Sequence, residues 1–201
     1  MKMSTLDRIL LLLTGILAAY QVAVGIDDFE TFPVIAYTIA FGVLLVAGLL
    51  LIIWDFEVLD SPAVVIVSTI IPLALATGLV YQHFASFRTL YLLFAIIGFA
   101  AVTLTRSTNM QNSLPVITIA VVHGIAGMTI FLLPIITSLT EKTSPLFSLV
   151  GMGGALIGVG GLLLSFLKTG KPILSREMIF KILPGLLLLM SICFIVGFKY
   201  G

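Results

Sequence analysis

The sequence predicts an all-α, polytopic integral membrane protein with seven transmembrane helices. Composition is the first reason. Of 201 residues, 60% are hydrophobic and 9% charged, and the mean hydropathy is +1.27. A soluble domain of this length does not hide that much apolar surface. The second reason is run length. The apolar stretches are continuous and about 20 residues long, the length of a spanning helix, whereas barrel strands alternate over short segments. The third is punctuation: "DDFETFP", "DFEVLDSP", "RSTNMQNSLP", "TEKTSP" and "KTGKP" separate the runs with turn residues.

The spans follow in order at about 8–26, 33–54, 62–83, 89–105, 114–136, 145–168 and 177–198. The first has Lys2 and Arg8 ahead of its apolar stretch, as a signal peptide does. Its apolar run is long for that role, so it reads as a retained helix. Spans two, three and six open at Pro33, Pro62 and Pro145, where a missing N–H costs nothing. Span three holds Pro72 and span seven holds Pro184, each inside an apolar run. Pro72 frees the carbonyl of Ser68 and Pro184 that of Phe180. Nearby helices, hydroxyls or water take up such carbonyls, so both prolines read as a hinge or kink.

Lysine and arginine set the orientation. Lys2, Arg8, Arg106, Lys168, Lys171, Arg176 and Lys181 fall on one side; Arg88, Lys142 and Lys199 fall on the other. The N-terminus is therefore expected in the cytoplasm and the C-terminus outside. The loops leave no room for an extramembrane domain, so 1–201 is one membrane domain.

Spacings suggest an internal repeat. Pro72 and Pro184 lie 112 residues apart, as do Pro33 and Pro145. "VAGLLL" at 46–51 and "VGGLLL" at 159–164 lie 113 apart, and "TGI" at 14–16 and "HGI" at 123–125 lie 109 apart. All pair spans one, two and three with five, six and seven. The expected layout is a three-helix unit at 8–83, a linking helix at 89–105 and a second unit at 114–198, a 3+1+3 parallel repeat of the kind used by transporters. This layout resembles that of the SWEET sugar transporters in architecture alone. The chain has neither a proline-glutamine loop motif nor that family's prolines in the first helix of each unit.

Few residues carry chemistry. Gly151, Gly154, Gly158 and Gly161 recur at three- and four-residue steps and read as a helix-packing face; a phosphate loop is excluded by the lack of a placed lysine. Ala36, Ala40 and Ala47 make a milder small face on span two. His123 lies near mid-span and His83 at the outer end of span three, about 10–15 Å apart in depth, so one haem iron does not bridge them. Ionisable groups at depth are costly and mark function, and His123 is the leading candidate. Gln21, Tyr37, Thr77, Ser68 and Thr69, with Thr118, complete a sparse polar path if they face inward. No carboxylate falls well inside a span, so acid-based ion coupling is not expected. Cys193 is alone, and no metal, cofactor or nucleic-acid motif occurs. The basic residues Lys168, Lys171, Arg176 and Lys181 suit lipid headgroups.

No catalytic constellation is present, so an enzyme is not expected. Two functions fit. One is a transporter or permeation protein for a neutral or weakly polar small solute, and the repeat and His123 favour it. The other is a non-catalytic integral membrane subunit or anchor of a larger, energy-transducing complex. The partners are then membrane lipids, a small-molecule solute, and other membrane subunits or a homo-oligomer. Single cysteines at Asp28 and Lys171, in a Cys193→Ala background, should react with an impermeant thiol reagent from opposite faces of the membrane. Reaction of both from one face overturns the seven-span reading.

Overall fold

The computed structural model describes residues 2–26, 29–108, 113–168 and 172–200. Asp28 and Lys171 lie outside them. The described residues are helical apart from short connections. The helices are α1 (Thr5–Val24), α2 (Thr31–Trp54), α3 (Pro62–Ser68), α4 (Ile70–His83), α5 (Arg88–Ser107), α6 (Leu114–Leu139), α7 (Ser148–Lys168) and α8 (Arg176–Tyr200). Short 3-10 turns at Asp55–Asp60, Ala85–Phe87 and Pro145–Phe147 precede α3, α5 and α7. With α3 and α4 taken as one span, seven helices are long and apolar enough to cross a membrane.

The ends are fixed by local chemistry. Ser4 and Asp7 form a capping box on α1, and Gly25 ends it at φ 76, a backbone state that glycine enters without steric cost. The α2 carboxyl end is held by α1. Arg8 donates from Nη1 to the carbonyl of Ile52 at 3.0 Å and from Nη2 to Asp55 at 3.0 Å, while the Met3 N–H donates to the same carboxylate. At the opposite end Arg88 donates to the carbonyl of Tyr81 and to Glu30, both at 2.6 Å, and lies 4.3 Å over the Tyr81 ring.

Six spans contact one another in a closed ring: α1 with α2, α2 with α4, α4 with α6, α6 with α7, α7 with α8, and α8 with α1. The linking helix α5 sits outside this ring, against α3, α4 and α6. It buries only Ala95, Gly98, Val102 and Thr105, which fall on one face at helical spacing. By contrast α4 is buried almost all round from Ile71 to Val80. Leu90, Leu93, Ile96, Ile97 and Leu104 on α5 are among many large apolar side chains left exposed. That pattern suits a lipid solvent, in which helices associate through packing.

The prolines do not behave alike. One turn ahead of Pro72 the helix is interrupted at Thr69, which separates α3 from α4. The Ser68 and Thr69 hydroxyls donate to the Val65 carbonyl, at 3.1 and 2.8 Å, and not to the carbonyl that Pro72 frees. Pro184 lies inside an unbroken α8. Pro134 lies inside α6, so interior prolines are not confined to the third helix of each expected unit.

Close packing uses half of the expected glycine face. A Cβ at Gly151 would stand 2.6 Å from the Phe131 carbonyl oxygen, and one at Gly154 would stand 2.7 Å from Ile130 Cγ2 and 3.0 Å from the Phe131 nitrogen. These two glycines let α7 touch the α6 backbone. Gly158 and Gly161 open onto space, with nothing within 4 Å of a Cβ, so the close packing expected of them is corrected. Gly153 and Gly197, which the periodicity passes over, seat α7 against α8. A Cβ on the first would meet Phe194 at 2.7 Å, and one on the second would meet the Val150 nitrogen at 2.8 Å. Gly154→Ala should therefore destabilise the protein by about 1–3 kcal/mol, the usual cost of overpacking, and Gly158→Ala should leave it unchanged. Thermal melting in detergent checks this; equal midpoints for the two variants would contradict the packing.

Candidate functional site

Tyr37 is the best-formed polar element in the core. It lies on α2 and is 1% exposed. Its ring sits against Gly78 on α4, where a Cβ would come within 2.5 Å of Cε1. Its other side faces Phe198 of α8, with centroids 4.5 Å apart and planes inclined by 39°. Phe29 meets it edge-on at 5.9 Å. The Tyr37 hydroxyl is buried and has no hydrogen-bond partner among the described residues.

Further aromatic rings extend this cluster. Phe29 also packs on His83 and Phe198. Phe147, carried inward by the 3-10 turn at Pro145–Phe147, is fully buried and lies 5.0 Å from His83 and 6.2 Å from Phe198. The His83 Nε2 is likewise buried without a partner among the described residues. His83, at the end of its span, is thus part of an aromatic plug drawn from α2, α4, α8, residue 29 and the turn before α7. Toward mid-span the plug continues through Phe194 and Phe41, whose rings meet at 6.4 Å.

Below it the centre of the ring is closed. Ala40, Phe41, Leu44, Ile71, Leu75 and Phe194 meet there and leave no room for a water molecule. The expected polar path is not assembled around this point. Thr77, buried, donates to the Leu73 carbonyl at 2.6 Å. Thr69, fully buried, and Ser68, half-buried, both bind Val65. Gln21, buried, donates through Nε2 to the Gly25 carbonyl at 2.6 Å. Each side chain is satisfied within its own chain segment, in the manner that Ser and Thr use on helices.

His123 stands apart from these residues. It is half-buried on α6, and its Nδ1 lies 3.2 Å from the Ile119 carbonyl. A carbonyl only accepts, so Nδ1 carries the proton and a neutral ring keeps Nε2 as an acceptor. Its electrostatic neighbour is Arg106 on α5, whose Nε is buried without a partner among the described residues. Tyr37 and His123 share no neighbour among these contacts. The sequence offered one missed signal for the plug: Phe29, Tyr37, His83, Phe147, Phe194 and Phe198 all fall at or near the same ends of their spans.

Among the described residues no three His, Cys, Asp or Glu side chains come together as a metal site would require. Cys193 is free and half-buried. Comparison with protein-family models, curated proteins and solved structures finds no match to this chain.

An unpartnered buried hydroxyl is a cost of about 1–3 kcal/mol relative to an apolar group of the same shape. Tyr37→Phe should therefore leave the melting midpoint unchanged or raise it, while Gly78→Ala, which displaces the ring, should lower it. A marked loss of stability in Tyr37→Phe would show that the hydroxyl has a partner.

Proposed function

We propose that this chain is a non-catalytic integral membrane subunit or anchor, which acts by packing within the bilayer rather than by passing a solute. The N-terminus is cytoplasmic in this reading, on the side that carries the larger share of lysine and arginine. The observation that carries it is the closed centre at Ala40, Phe41, Leu44, Ile71, Leu75 and Phe194. A solute path needs either polar walls or space. Here the hydroxyls turn back onto their own helices, and the outer half is plugged by rings. The exposed apolar faces of α5 and α6 suit lipid or neighbouring membrane subunits alike.

A second reading, a permeation protein for a neutral or weakly polar solute held in a closed state, is favoured by the helix ring. Its seams between the expected units pair α4 with α6 and α1 with α8. These are the third helix of one unit against the first of the other, twice, as an axis along the membrane normal requires. The interruption at Thr69 supplies a bend beside one seam.

Access to the centre separates the two. Ala40→Cys and Leu75→Cys, each in a Cys193→Ala background, should resist a water-soluble thiol reagent applied to either face of sealed vesicles and react only after denaturation. Reaction in the folded protein overturns the packing role in favour of permeation.

A further inference from the structure

We propose that the end of the bundle carrying the N-terminus has a binding site for the headgroup of a zwitterionic phospholipid, one that bears a phosphate and a primary ammonium. The site is a cavity of about 130 Å³ lined by Leu59, Asp60, Leu164, Leu167, Arg176 and Phe180. It lies between the 3-10 turn after α2, the end of α7 and the start of α8. A water molecule takes up about 30 Å³ in the liquid, so the space holds several heavy atoms.

The floor is apolar and the mouth is charged with both signs. Phe180 is 3% exposed and is held in place by Phe56, stacked 4.7 Å away with planes 10° apart. The Arg176 guanidinium lies 5.2 Å over the Phe180 ring, which positions it at the rim. Its Nη2 is 3.4 Å from Asp60 Oδ2, and both side chains are more than half exposed. A contact that long and that wet is a loose pair. A guanidinium has five donors and a carboxylate about four acceptor sites, and among the described residues this one contact uses few of them.

The three features select one ligand class. Arg176 offers planar, charge-assisted donors to a phosphate. Asp60 offers acceptors to an ammonium a few ångströms away. Leu59, Leu164 and Leu167 cover the glycerol and the first methylenes of an acyl chain. The depth agrees: Trp54, 59% exposed at the end of α2, and Lys181, exposed one turn inside α8, are residue types that gather at the membrane interface. An anionic lipid would meet the Asp60 carboxylate without an ammonium to answer it. Free phosphate would leave the apolar floor uncovered. The site stands whether the bundle packs or permeates.

The test is lipid retention on the full chain, purified from nanodiscs of equal phosphatidylethanolamine and phosphatidylglycerol and read by native mass spectrometry. The wild-type protein should retain phosphatidylethanolamine in preference. Asp60→Asn should lower the ratio of phosphatidylethanolamine to phosphatidylglycerol by about two- to five-fold, the scale of one exposed ionic contact. Arg176→Gln should lower retention of both lipids. Leu164→Trp, which fills the cavity and leaves both charges, should also release phosphatidylethanolamine. An unchanged lipid ratio in Asp60→Asn overturns the proposal. Displacement of the lipid by inorganic phosphate also overturns it, since the site would then be a simple anion site. Melting midpoints of the variants equal to wild type establish that lipid loss is not unfolding.

Discussion

Most hydroxyls at depth find their partner close by, and much of the structure follows from that constraint. Thr14, Thr38, Thr77, Thr103, Thr129, Thr137 and Ser191 each donate to the carbonyl four residues earlier on their own helix. Water is not at hand in hydrocarbon, and an unmet hydroxyl is expensive there. Once the hydroxyls are spent locally, few polar bonds remain to hold helix to helix. Tyr91 to Thr129, at 3.1 Å between α5 and α6, is one that does so. Association rests on shape.

Shape in turn rests on where side chains are missing. Gly78 admits the Tyr37 ring, Gly151 and Gly154 admit the α6 backbone, and Gly197 admits the α7 backbone at Val150. The large groups that fill the remaining space are aromatic. Rings suit this task, since edge-to-face and tilted pairs gain beyond simple burial, and the core pairs around Phe198 are of both kinds. The consequence for function is a closed middle. The same groups that bring α2, α4 and α8 together also fill the space between them.

The two ends of the bundle differ. One end is an aromatic plug that buries the Tyr37 hydroxyl and the His83 Nε2 without partners among the described residues. Charge ties both ends: Arg88 to Glu30 beside the plug, and at the far end Arg8 to Asp55 and Arg176 to Asp60 across the mouth of a cavity. The 3-10 turn at Asp55–Asp60 supplies both acids at the far end. A loop that reads in sequence as a turn between spans thus links α1 and α8 at one end of the ring.

Run length, turn residues and hydropathy were enough to place all seven spans to within a few residues, because a helix in lipid satisfies its own backbone and needs no distant partner to exist. The site was not legible in this way. Gly151 and Gly158 look equal on a helical wheel, yet a Cβ at the first meets the α6 backbone and one at the second meets nothing within 4 Å. Pro72 and Pro184 look equal as interior prolines, yet only near the first is the helix interrupted. Tyr37 and His123 both read as inward polar residues, yet one lies under Phe198 and the other beside α5. Periodicity assigns a residue to a face of its own helix. Which neighbour covers that face, and at what depth the two part, depends on the crossing of helices far apart in the chain, and only the tertiary structure decides it.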